Sequence, residues 1–225
     1  MKKSFIYLAM GVIILTRCAA KEPRAEEAAT AESTGFVYGI LDPTRCTEEE
    51  LQAMTPQELF DAFCLTNADA EYTDMNTGKK RPLNAVRFDF SDDENNPETV
   101  CIKDPVDLDN DGEVEFILHN AVSGDWYFDC KGGKIICFAY GEGTADYCSH
   151  VTYKDATWIV HSDTAHSGRV VYTLDKYNGD LYIEETIKLG QIESEDKPGE
   201  MKYYYNDGEI TKEEYDAYYK EIFGE

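Results

Sequence analysis

Positive charge is scarce in this chain: 21 Lys and Arg stand against 45 Asp and Glu in 225 residues, for a formal net charge of −24. A surface of that sign repels phosphate backbones and anionic headgroups, which excludes nucleic-acid binding through a general basic patch and argues against a membrane held that way. Long apolar runs are missing too. The run at the N-terminus, Phe5 to Leu15, is far shorter than the about 20 residues of a spanning helix. There are only four histidines, none in an H-E-x-x-H pair, and no G-x-S-x-G elbow occurs. The cysteines lack the close pairs of a zinc knuckle or ribbon. No acidic or hydrophobic unit recurs at a fixed period, so repeat architectures are excluded as well.

What is present begins with an address. Lys2 and Lys3 precede the short apolar run, and the small residues Ala19 and Ala20 follow Cys18. That order is the signature of an export signal, here residues 1–17. Leu15-Thr16-Arg17-Cys18 resembles the lipobox of bacterial lipoproteins, with Arg17 where that motif prefers a small residue. The resemblance implies that Cys18 is acylated and becomes the mature N-terminus. Residues 18–35 are rich in Ala, Glu, Thr and Ser. Such a segment buries too little apolar surface to offset its ordering entropy, so it reads as a disordered, lipid-anchored tether. As a coil it would hold the rest roughly 20–25 Å from the membrane. Cleavage before Cys18 removes three bases and no acid, leaving 18 against 45, or −27. Residues 36–225 then read as one extracytoplasmic domain.

Six cysteines remain: Cys46, Cys64, Cys101, Cys130, Cys137 and Cys148. In an exported chain an even count allows up to three disulfides, with 15 possible pairings, and buried thiols are the alternative.

Helices are signalled at both ends of the domain. Thr47 with Glu50, Thr55 with Glu58 and Thr211 with Glu214 have the capping-box spacing, and Pro56 suits a first helical position. The spacing predicts helices over 48–53, 56–65 and 212–223. In the last, Tyr215, Tyr218, Tyr219 and Ile222 form one stripe that should dock on the body. Between these ends the pattern changes to strands, read at 86–90, 100–103, 114–122, 125–130, 134–140, 147–153, 157–161, 170–174, 181–189 and 201–205. Lys131-Gly132-Gly133, Lys154-Asp155-Ala156 and Asn178-Gly179 read as hairpin turns. Tight turns join antiparallel neighbours. The expected fold is therefore α+β, mainly β: a curled antiparallel meander of about eight to ten strands with short helices at the N- and C-terminal ends.

The most specific chemistry lies in Asp107-Leu108-Asp109-Asn110-Asp111-Gly112-Glu113-Val114-Glu115. Oxygen-bearing side chains occupy positions 1, 3, 5 and 9 around a glycine at position 6, as in a loop wrapping a cation. An EF-hand would place glutamate at position 12, where this chain has Leu118. The pattern resembles instead the calcium loops of FG-GAP-type β repeats, which run straight into a strand. That resemblance implies calcium, with side-chain oxygens from Asp107, Asp109, Asp111 and Glu115 and the backbone carbonyl of Glu113.

Other candidates are weaker. His161 and His166 are five residues apart, which fits neither a zinc helix nor one strand face, and Cys148 with His150 is a conceivable pair that adjacency alone does not support. No catalytic residue is assigned. Trp126, Tyr127, Trp158, Tyr172, Tyr203, Tyr204 and Tyr205 could serve as stacking platforms, although strands favour aromatics anyway.

Three stretches carry a wider likeness: Val106 to Gly112, Trp158 to Asp163, and Tyr205 to Tyr215. Through them the chain resembles uncharacterised secreted lipoproteins of clostridia-like bacteria, which implies a cell-envelope location and no particular activity. The leading expectation is a non-catalytic module that binds an envelope ligand or protein, anchored through lipid and carrying a structural calcium loop. An envelope glycan or peptide hydrolase is the second reading, and a structural surface protein without a small ligand the third.

Overall fold

The computed structural model describes residues 46–65, 67–91, 96, 98–164, 168–194 and 196–224. The expected signal segment, Cys18 and the expected tether lie outside the described residues. No described helix is long and apolar enough to cross a membrane.

Two short helices come first, α1 (Glu48–Gln52) and α2 (Pro56–Cys64), each closed by the capping box its sequence announces. In both, the N-cap threonine accepts from the third helical N–H while that glutamate accepts from the cap N–H. The strands are β1 (Ala70–Asp74), β2 (Lys79–Leu83), β3 (Val100–Val106), β4 (Glu115–Asn120), β5 (Gly124–Lys131) and β6 (Lys134–Tyr140). They continue as β7 (Asp146–Tyr153), β8 (Ala156–Asp163), β9 (Arg169–Tyr177), β10 (Ile183–Glu193), β11 (Met201–Tyr205) and β12 (Gly208–Ile210). Helix α3 (Lys212–Phe223) follows, capped by Thr211 and ended by Gly224 in the left-handed region at φ 77°.

All twelve strands belong to one sheet, ordered β12-β11-β10-β9-β8-β7-β5-β6-β1-β2, with β3 joined through β4 to β5. The fold is the expected mainly β, antiparallel meander with helices toward its ends. It contains two more strands than the upper bound expected, and two parallel pairings between strands that no hairpin makes: Glu71 and Tyr72 beside β6, and Gly124 beside Cys148. At that second contact the sheet divides. β5 continues along β6, while β7 leads into the second half of the sheet.

Each half has its own core. In the first, Leu59, Phe60 and Phe63 of α2 pack on β4 and β5, with the rings of Phe60 and Phe116 stacked at 4.6 Å. In the second, the α3 stripe covers β9 to β11: Tyr215 meets Tyr203 at 5.2 Å and Tyr218 stacks on Tyr205 at 4.1 Å. A third cluster joins them, built from Leu108, Ile117, Tyr127, Ala139, Cys148, Ile159 and Tyr177.

No disulfide joins the six described cysteines, and all but Cys46 are buried. Burial pushes the Cys64, Cys130 and Cys137 thiols well above the ordinary thiol range, which leaves them unreactive. The chain thus takes the buried-thiol alternative and behaves there like a small hydrophobe.

Candidate metal centre

The acidic loop connects β3 to β4 and sits against the cluster that joins the two halves of the sheet. Leu108 anchors it, fully buried among Ile117, Ile159 and Tyr177. The side chain of Asn110, a residue in the left-handed region at φ 63°, reaches across to the other half. Its amide donates to the carbonyls of Thr157 and Tyr177, each at 3.2 Å, and its oxygen accepts from the Thr157 N–H at 2.8 Å. Asparagine tolerates that backbone better than most residues, which explains its presence between two aspartates. Gly112 turns the chain at φ 91°, where a side chain would be strained.

Folding this way draws three carboxylates together. One oxygen each from Asp107, Asp109 and Glu115 lies within 4.8 Å of the others, a group that could hold a metal ion. Two oxygens bound to one calcium at 2.3–2.6 Å can be no farther apart than about 5 Å, so the spacing fits. Asp109 and Glu115 are both 2 % exposed. Two full charges at such a separation repel by about 3 kcal/mol even at an effective dielectric constant of 20. Burial, reinforced by neighbouring carboxylates, accordingly raises Asp109 to about 6 and Glu115 to about 7. Asp129, half-buried, adds a further negative charge and is itself raised by burial.

Local backbone donors reach three of the six triad oxygens. Glu115 Oε2 accepts from the N–H of Leu108 at 2.6 Å and of Asp109 at 3.3 Å, while Asp107 Oδ2 accepts from Gly112 at 3.1 Å. Among the others, Asp107 Oδ1 is buried and has no hydrogen-bond partner among the described residues. A buried carboxylate oxygen without a partner is costly, and such an atom needs a water or an ion.

Of the two remaining expected ligands, Asp111 turns its carboxylate elsewhere, while Glu113 was expected through its backbone carbonyl, which its side-chain pairing leaves untouched. Asp111 Oδ1 accepts from the Glu113 N–H at 2.7 Å, and its Oδ2 meets Lys131 Nζ at 3.2 Å. Glu113 also pairs its carboxylate with Lys131, at 3.0 Å. Lys131, from the β5–β6 hairpin, thus closes the outer side of the loop, and Asp111 lies outside the triad. Gly179 of the β9–β10 turn touches the same aspartate: a Cβ there would stand 2.8 Å from Asp111 Cβ.

A second polar constellation went unread in the sequence. Asp125, 3 % exposed, accepts from His119 Nδ1 at 2.6 Å and Lys103 Nζ at 3.1 Å through one oxygen. Through the other it accepts from the Tyr127 hydroxyl at 3.1 Å and faces His150 Nδ1 at 3.6 Å. Burial alone would raise this carboxyl, but the hydrogen bonds of His119 and His150 and the cation of Lys103 hold it well below the usual range. The available signal was symmetry: His119 and Asp125 flank the β4–β5 turn and pair directly across it.

His150 therefore faces Tyr127 and Asp125, while the Cys148 thiol is fully buried in the joining cluster. His161 Nδ1 is 3.9 Å from Asp146, and His166 lies outside the described residues. Of the expected aromatic platforms, Tyr127 and Trp158 are buried, and Tyr172, Tyr203 and Tyr205 pack beneath α3. Trp126 borders an open depression of about 570 Å³ that it shares with Tyr72, Arg87 and Tyr140. The chain matches no protein-family model, no curated protein and no solved structure.

Proposed function

We propose that this chain is a non-catalytic ligand-binding lipoprotein of the cell envelope, whose two sheet halves are clasped by a calcium ion at the acidic loop. The buried, unpartnered Oδ1 of Asp107 beside Asp109 and Glu115 carries the calcium reading. All-oxygen donors of negative charge suit a hard cation and offer nothing to a soft one. The loop's position gives the ion a purpose. Leu108 and Asn110 engage the second half of the sheet, while Glu115 begins a strand of the first. An ion neutralising the triad would hold both at once.

Two observations favour binding over hydrolysis. The Asp125 carboxylate is buried and engaged by its own partners, so it is not itself presented to a substrate as an acid or base. In the open cleft, Asp74 hydrogen-bonds Thr77 and pairs with Arg81 at 3.2 Å, and those contacts hold its carboxyl below the ordinary value. A glycosidase needs a carboxyl raised, not lowered, to serve as its acid.

Calcium titration against thermal unfolding tests the clasp. Extracellular calcium modules bind at about 0.1–1 mM, so millimolar calcium should add roughly 0.5–1.5 kcal/mol. Asp109→Asn should abolish that increment yet leave the cation-free protein as stable as the parent or more so, because one repulsive charge is gone. The pH dependence has a definite sign. Asp109 and Glu115 keep protons in the fold that the unfolded chain has lost above about pH 4, so cation-free stability should fall as pH rises from about 4 to 7. Calcium must displace those protons, and its increment should grow across the same window. An unchanged melting curve with calcium at pH 8 would leave only an acidic turn.

The envelope address has its own measurement. Mass spectrometry of the mature N-terminus should find diacylated Cys18, two chains being what stable anchoring takes. Cleavage elsewhere, with an unmodified Cys18 thiol, would remove the anchor from this reading.

A further inference from the structure

We propose that the cleft beside Trp126 binds a small zwitterion, an α-amino acid or a short peptide with free ends, through the guanidinium of Arg87. The proposal rests on the reading of this chain as a binding module and not on the calcium clasp. Arg87 ends the 3₁₀ turn Ala85–Arg87, and its guanidinium lies 5.1 Å from the Trp126 ring centre and 6.0 Å from that of Tyr72. Among the described residues it has no carboxylate within ion-pair distance, although the cleft contains Asp74, Glu98 and Glu142. In a chain with more than twice as many acids as bases, a cation with no ion pair among the described residues, beside three acids, is held there by two ring faces.

A cation over ring faces is held by charge and spends none of its N–H groups on an acceptor there, so they are available to grip a carboxylate at two points. The acids of the same cleft supply the complement. Asp74 is already engaged by Arg81, but Glu142 has only the Asn76 amide, at 3.3 Å, and Glu98 makes no ion pair among the described residues. A ligand with a carboxylate for Arg87 and an ammonium for Glu98 or Glu142 satisfies both signs. A simple anion would meet repulsion from the glutamates, and a simple amine repulsion from Arg87. The floor can accept an apolar side chain, since Trp126 and Tyr140 stack at 4.5 Å and Tyr140 is fixed by its hydroxyl to the Thr73 carbonyl. The volume of about 570 Å³ lies within the usual range for small-ligand sites.

The test is calorimetry on the full chain in detergent, with and without calcium, against the free amino acids singly and a set of dipeptides. At least one should bind. Its N-acetyl and its carboxamide derivatives should each bind at least about tenfold more weakly, because each removes one charge-assisted contact. Arg87→Gln should lose at least about tenfold in affinity, and Arg87→Lys, which keeps the charge without the fork, should lose part of it. Glu142→Gln should weaken the free amino acid more than its N-acetyl form. Arg87 is exposed, so unfolding should not mask the result, and a melting curve checks each variant. The proposal is overturned if no zwitterion binds, if the carboxamide binds as well as the free acid, or if Arg87→Gln changes nothing. A neutral sugar binding where amino acids do not would overturn it too, while leaving the broader reading as a binding module intact. Loss of the calcium effect with retained amino-acid binding would fault the clasp alone.

Discussion

Gly141→Ala should unfold this protein or cost at least about 4 kcal/mol, a loss found only where a named steric or electrostatic fault is introduced. A Cβ at that position would lie 1.8 Å from the Ser123 carbonyl oxygen, 2.8 Å from the Cys148 nitrogen and 2.9 Å from the Asp146 oxygen. All three are backbone atoms, so no rotamer change relieves the clash. Relief would require moving β7 away from β5 where the sheet divides, and with it the Cys148 N–H bond to the Ser123 carbonyl. Ordinary overpacking of a core costs about 1–3 kcal/mol because side chains give way. Here they cannot. Gly208→Ala provides the control, since its Cβ would meet only the Tyr205 carbonyl, at an ordinary 3.6 Å. Chemical denaturation of both variants should give a severe loss for the first and a change within about 0.5 kcal/mol for the second. Equal stabilities would show that β5 and β7 do not meet this closely.

The pattern of what could be read in the sequence follows the range of the forces involved. Capping boxes are local, and all three helices begin where Thr47, Thr55 and Thr211 place them. The α3 stripe docks as its spacing implies. Val86 to Phe90 alternates like a strand, yet Ala85–Arg87 forms a 3₁₀ turn and Phe90 makes only an isolated bridge to Val100. Asn84 decides this by accepting from the Val86 N–H, a local bond that a five-residue alternation cannot outweigh. The β1–β2 hairpin was invisible for the opposite reason. Lys79-Lys80-Arg81-Pro82-Leu83 is basic, exposed except for Leu83, and carries a proline, which suits only a sheet edge, and β2 is one. At Asn178-Gly179 a turn does occur, but the left-handed residue is Leu181. Asn178 explains the shift by accepting from both Asp180 and Tyr182 N–H groups, which lengthens the connection.

The same division separates the two polar sites. The acidic loop announced itself because its candidate ligands are nearly contiguous, whereas the outward turn of Asp111 involves Lys131, which a separate hairpin supplies. The Asp125 network was hidden because its members come from four strands whose pairing no local pattern supplies. The Arg87 cleft was hidden likewise: Trp126 stood out as an aromatic, but nothing near it in sequence marks Arg87 as its partner.

Replacing Asp125 should be the second most damaging change. Removing one partner from a buried charged network costs about 3–5 kcal/mol, because the groups left behind keep their charge without its complement. Asp125→Asn retains shape and one acceptor oxygen, and Lys103 and His150 are partly exposed, so stranded charge can turn toward water. The lower end of that range, about 3 kcal/mol, is therefore expected, roughly a 6–12 °C fall in melting temperature for a domain of this size. Acid supplies the signature that a simple packing defect would lack. Asp125 is held below its unfolded value, so its stabilisation is complete above about pH 4 and disappears as pH falls through the folded value. Parent and Asp125→Asn should thus differ fully at pH 7 and converge progressively below about pH 4. His119→Ala and Tyr127→Phe, each deleting one donor, should cost less singly, and each should be less costly again in the Asp125→Asn background, as members of one network behave. A gap between parent and Asp125→Asn that stays constant down to pH 2 would mean the carboxylate's charge contributes nothing, and that Asp125 serves the sheet junction by its shape alone.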